Sequence, residues 1–114
     1  MIKGIGTDIV NIKRFDEALT KWGEKIQKRL FTDKELEYCM AKKNPSIHLA
    51  GRFAAKEALY KALGGPINFN EMEVVNDENG KPSMTAKGYD SVNIHVSISH
   101  EREFAVGNVI VECS

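Results

Sequence analysis

An alanine-rich stretch from about Ser46 to Leu63 constrains this 114-residue chain more than any other part of it. Leu49, Ala50, Phe53, Ala54, Ala58, Ala62 and Leu63 recur at helical intervals, which predicts one long helix. Gly64-Gly65-Pro66 supplies the stop, a residue at home in the left-handed region followed by one that cannot carry a helix on.

The flanking segments are short. Ile2 to Val10 is rich in Ile, Val and Gly and reads as a strand, with Gly4 and Gly6 marking a bulge or a close approach by another group. From Asn11, a natural N-cap, Ile12, Phe15, Leu19 and Trp22 fall on one helical face. Thr32-Asp33-Lys34-Glu35 matches a capping box and predicts a short helix through Met40, and Asn44-Pro45-Ser46 breaks the chain. After the long helix the pattern turns β. Met72, Val74 and Val75 precede Asp77-Glu78-Asn79-Gly80, where Asn-Gly signals a hairpin with a return strand over 81–85. Ile94, Val96 and Ile98 alternate with polar residues, 100–103 reads as a turn, and Phe104 to Val111 as a final strand. The fold class is α+β, and the length suits a single domain over 1–114.

Lys+Arg and Asp+Glu are 16 each, so the net charge is zero, which argues against a nucleic-acid binder and offers nothing to a membrane surface. The layout is uneven. Residues 11–61 carry twelve Lys/Arg against seven Asp/Glu, whereas 71–103 carry three against seven. Such asymmetry suits one face meeting an acidic partner, or lysines that only solvate helices. Cys39 and Cys113 are far apart, which gives neither a disulfide framework nor a zinc site. No secretory signal and no transmembrane run is visible, so the expected compartment is the cytosol.

Three constellations could carry chemistry. Asp8 follows two glycines near a strand end, as a ligand or as a capping residue. Glu57 and Lys61 share a face of the long helix, as an ordinary ion pair or as a partly buried functional one. Asp8 and Glu57 together offer the oxygen ligands that Mg²⁺ takes alongside phosphate and water, with Arg52, Lys61, Lys81 and His100 available for phosphate charge. Gly64-Gly65 lacks phosphate-loop spacing and reads as a helix stop.

Gly4-Ile5-Gly6-Thr7-Asp8-Ile9-Val10, then Gly51-Arg52-Phe53-Ala54-Ala55-Lys56-Glu57-Ala58 with Lys61, Asn79-Gly80-Lys81-Pro82 and Val96-Ser97-Ile98-Ser99-His100 resemble, in order and spacing, the bacterial holo-(acyl-carrier-protein) synthases, the short type of 4′-phosphopantetheinyl transferase. The resemblance spans essentially the whole chain. It implies a small antiparallel sheet packed on a long central helix with shorter helices. It also implies transfer of 4′-phosphopantetheine from coenzyme A to a serine of apo acyl carrier protein, giving adenosine 3′,5′-bisphosphate, a step of fatty acid biosynthesis in the cytoplasm. By motif, Asp8 and Glu57 are the expected Mg²⁺ ligands. Lys61 is expected beside the pyrophosphate, as charge stabiliser or as the serine's base, with Glu57 or a metal-bound water as alternatives. Arg52, Lys61, Gly64, Lys81, Pro82 and His100 are the expected coenzyme A contacts. A homotrimer with sites between subunits is implied, with Asp8 from one subunit and Glu57 and Lys61 from the other. Lys13, Arg14, Lys21, Lys25 and Lys28 are the expected docking residues for the acidic carrier, Arg14 foremost. The connection 64–69 is shorter than in many relatives, and Glu101 stands where some carry a small hydroxyl residue. No adenine-side contact is carried over to the first place and no phosphate contact to the second. Another Mg²⁺-dependent phosphoryl transfer, or a non-catalytic module that docks an acidic protein, remains the alternative.

Overall fold

The computed structural model describes residues 1–114. In chain order the elements are β1 (Ile2–Asn11), α1 (Ile12–Trp22), α2 (Glu24–Leu30), α3 (Asp33–Met40) and α4 (Pro45–Leu63). A 3₁₀ turn (Phe69–Glu71) then leads into β2 (Met72–Asn76), β3 (Pro82–Ala86), β4 (Val92–His100) and β5 (Phe104–Cys113). The architecture is the expected α+β one. An antiparallel sheet ordered β1-β5-β4 packs on α4, and β2-β3 form a separate hairpin.

Close packing of α4 on the sheet explains the glycines. A Cβ on Gly6 would lie 1.9 Å from the carbonyl oxygen of Ala58, and one on Gly4 2.0 Å from that of Ala62. The approaching group is therefore the backbone of α4, and a register shift between Ile2 and Gly4 adds a bulge beside it. The helix joins two cores. Leu49, Ala50 and Ala54 pack with Val10, Phe15, Leu19 and Phe31. Ala55, Ala58 and Leu59 pack with Met72, Val74, Met84, Val109 and Val111.

Local signals are followed closely. The Asn11 side chain accepts from Arg14 N, so the cap of α1 is Asn11 and Asp8 caps nothing. Thr32 and Glu35 form both bonds of the capping box. Gly64 ends α4 in the left-handed region with φ 69°.

Three details differ from expectation. Trp22 is 53% exposed, because it is the last residue of α1 and no core lies opposite it. Helix α2 was not anticipated; it is seven residues long, lacks a side-chain cap bond and buries no residue fully, so it leaves no apolar stripe to read. The β2–β3 hairpin forms where Asn79-Gly80 signals it, but its loop runs over 77–81 rather than through a two-residue turn. Gly80 N donates to Asp77 O and Asp77 N to Lys81 O, while Asp77 Oδ1 accepts from the amides of Asn79 and Lys81. Only Gly80 takes a positive φ, 85°, which makes the loop a turn closed by a bulge.

Candidate functional site

Strand β1 and helix α4 bring three of the expected residues together. Asp8 lies on the α4-facing side of β1, in line with Gly4, Gly6 and Val10. One turn separates Glu57 from Lys61 on α4. Lys61 Nζ donates to Asp8 Oδ1 and to Thr7 O, both at 3.1 Å. The Glu57 carboxyl is held above the usual glutamate range, first by burial and then by the charge of Asp8, with Lys61 opposing. Two corrections follow. Asp8, Glu57 and Lys61 meet within one chain, so Asp8 is not divided from the other two across a subunit boundary. Lys61 pairs with Asp8 rather than with Glu57, and its side chain is half exposed.

Glu57 opens onto a cavity of about 680 Å³ walled by Arg29 and Leu30 from α2 and its end, by Tyr60, and by Ile67 to Asn70. Two neighbouring carboxylates with one ammonium between them form a site deficient in cation. Their hard oxygens suit Mg²⁺. No group of three or more His, Cys, Asp or Glu side chains is arranged around a common metal position. Two carboxylates is also the number that Mg²⁺ commonly takes where phosphate and water complete the shell.

Arg52, Pro82 and His100 gather elsewhere, in a cleft of about 190 Å³ between α3, the first turns of α4, the hairpin and the end of β4. Arg52 is only 4% exposed. It donates to the Asn76 side chain and its guanidinium lies 4.3 Å from the centroid of Tyr38. No carboxylate pairs with it, and its Nε has no partner. A buried guanidinium in this state suits an anion. The cleft shares no lining residue with the Glu57 cavity.

Lys81 sits between two lining residues, Gly80 and Pro82, but its own side chain is not part of the wall. Gly64 lines neither cavity, and its amide already donates to Tyr60 O, so helix termination accounts for it. Lys13, Arg14, Lys21, Lys25 and Lys28 on and after α1 are all exposed and outside every ion pair.

Sequence reasoning missed two groups. Tyr38, His48 and Asn76 line the Arg52 cleft, and no motif marks them. Lys56 is fully buried, with Nζ donating to Leu30 O at 2.8 Å, to Phe69 O at 3.0 Å and to the Glu35 carboxylate. The readable sign was a lysine seven residues after Leu49 and three after Phe53, on the apolar stripe itself.

A family model described as the 4′-phosphopantetheinyl transferase superfamily matches residues 4–109. A holo-(acyl-carrier-protein) synthase of Halothermothrix orenii is 45% identical over 123 aligned residues, covering 98% of each chain. The fold is similar to that of a Bacillus anthracis holo-(acyl-carrier-protein) synthase in complex with CoA (3′,5′-ADP), with TM-score 0.88 and 39% identity, over 100% of this chain and 99% of that one. It is also similar to the Helicobacter pylori synthase in complex with coenzyme A, with TM-score 0.84 and 31% identity, over 95% and 99% of the two chains.

Proposed function

This chain belongs to the 4′-phosphopantetheinyl transferase superfamily as a holo-(acyl-carrier-protein) synthase, and from that premise we propose which of its residues carry the reaction. The enzyme transfers 4′-phosphopantetheine from coenzyme A to a serine of apo acyl carrier protein. The serine hydroxyl loses its proton, which ends in solvent, as its oxygen forms a bond to the phosphorus that carries pantetheine. The pyrophosphate P–O bond breaks, and adenosine 3′,5′-bisphosphate leaves with the electron pair.

The observation that carries the assignment is the convergence of Asp8, Glu57 and Lys61 at one end of α4. Asp8 and Glu57 would hold Mg²⁺, which when bound supplies charge neutralisation to the pyrophosphate and the leaving group. Lys61 acts as a fixed cation beside the transferring phosphoryl. Its two bonds to Asp8 and Thr7 O engage it as a donor, which favours charge stabilisation over a role as base. Arg52, Pro82 and His100, with Lys81 on the adjoining loop, receive the nucleotide end. The exposed cations Lys13, Arg14, Lys21, Lys25 and Lys28 receive the acidic carrier.

The metal pair and the nucleotide cleft share no wall within one chain, which favours a site completed by a neighbouring copy. The outer face of the three-stranded sheet supplies a surface for that contact. Ile5 and Ile9 are 71% and 62% exposed there, next to Ile110 and the bonded pair Thr7–Asn108. We read residues 1–114 as one catalytic domain that assembles as a trimer. No helix is long and apolar enough to cross a membrane, and the reaction is assigned to fatty acid biosynthesis in the cytoplasm. Mixing Glu57→Ala with His100→Ala protein under subunit exchange tests the shared site. Partial recovery of transfer is expected. No recovery after exchange has been demonstrated by mass contradicts it.

A further inference from the structure

The Arg52 cleft holds more cationic capacity than the expected residues account for. His48 lines it from the first turn of α4, and its ring meets the His100 ring edge to face, with centroids 5.8 Å apart and planes at 71°. The other edge contact of His48 is with Tyr38, at 6.3 Å. The Tyr38 ring is flanked by Arg52 and by Lys42, whose Nζ lies 4.5 Å from the centroid. Arg52 is buried without a counter-ion and with its Nε unpartnered. No carboxylate lines the cleft.

We propose that His48 is a further residue of the nucleotide subsite, forming with His100 an imidazole pair that takes up a proton when a phosphate group enters. The proposal rests on the reading of this cleft as the seat of the nucleotide end of coenzyme A. The titratable and charged groups that face His48 are Tyr38 and Lys42 from α3 and the segment after it, Arg52 on α4, and His100 at the end of β4. The hairpin contributes only Asn76, Gly80 and Pro82. Burial first, then His100, Arg52 and Lys42, hold His48 below the ordinary histidine range, which favours the neutral ring. A phosphate dianion reverses the sign of that local field. The proton, drawn from solvent, then sits on a ring nitrogen as a charge-assisted donor to phosphate.

The test is calorimetric titration of the full-length protein with adenosine 3′,5′-bisphosphate, in buffers of different ionisation heat at about pH 7.5, above the ordinary histidine value. Wild type is expected to take up protons, approaching roughly one per site. His48→Phe, which preserves an aromatic ring against Tyr38, should bind about tenfold more weakly and show clearly smaller uptake. A wild-type NMR titration of the His48 Cε1–H resonance, with and without the bisphosphate, provides a measurement independent of the variant's folding. The bound ring should titrate at higher pH than the free one. Unchanged proton uptake in a His48→Phe protein that still binds, or an unmoved His48 titration in bisphosphate-saturated wild type, overturns the proposal and leaves the nucleotide reading standing. Absence of binding by wild type overturns both.

Discussion

Lys56 and Glu35 form an ion pair in which both side chains are wholly excluded from solvent, one residue before Glu57 on α4. The pair is fully satisfied. Lys56 donates to Leu30 O, Phe69 O and Glu35, while Glu35 accepts from Thr32 N at 2.9 Å and Val74 N at 2.8 Å. Leu30 and Phe69 both line the cavity beside Glu57, so one ammonium ties two of its lining segments to the helix. Lys56→Met would strand a buried carboxylate and should cost about 3–5 kcal/mol in urea unfolding. The double variant Glu35→Leu/Lys56→Met should regain part of that loss but not all, because Thr32 N and Val74 N lose their acceptor. A Lys56→Met protein as stable as wild type contradicts this account of the pair.

The raised Glu57 carboxyl makes a prediction about stability with a definite sign. Its folded form holds a proton to higher pH than the unfolded chain does. Between the ordinary value of 4.5 and the raised folded value, stability therefore falls as pH rises, and the deficit persists at neutral pH. Glu57→Gln should melt at a higher temperature than wild type at neutral pH. The gain should fade as pH drops below the ordinary carboxyl value. Added Mg²⁺ should raise the melting temperature of wild type more than that of the variant. A variant no more stable than wild type at neutral pH contradicts the prediction.

Carrier docking is expected to be electrostatic and separable from coenzyme A binding. Arg14 is exposed on α1 and its side chain is outside every ion pair. Arg14→Glu should raise the carrier KM by about tenfold at low salt, with the difference shrinking as salt rises, and leave the coenzyme A KM unchanged. Steady-state kinetics across a salt series reads all three. An unchanged carrier KM removes Arg14 from the docking face.

What could be read from the sequence was what local chemistry decides. The Thr32–Glu35 box, the Asn11 cap, the Gly64 stop and the alternation of β4 each involve residues a few positions apart. Trp22 carried the right period but ended its helix with no core opposite, because periodicity marks a face and not the extent of its partner. The capping box also hid a second role. It explained Glu35 completely, leaving nothing to signal a lysine 21 residues away. The Asp8–Lys61 contact spans 53 residues and depends on β1 pairing with β5 and on glycines that let α4 settle on β1. Sequence motifs named both residues. Only the tertiary packing put them in the same chain's site and separated them from the Arg52 cleft.

Asp8 and Glu57 are proposed to support Mg²⁺-dependent transfer. Its most direct measurement is the mass of an apo acyl carrier protein incubated with coenzyme A, Mg²⁺ and enzyme. Wild type should add one phosphopantetheine per carrier, chelation should stop the gain, and restored Mg²⁺ should recover it. Asp8→Ala and Glu57→Ala should each slow the gain by at least about a hundredfold. Labelling at the wild-type rate by either variant, or undiminished labelling under chelation, would contradict the claim.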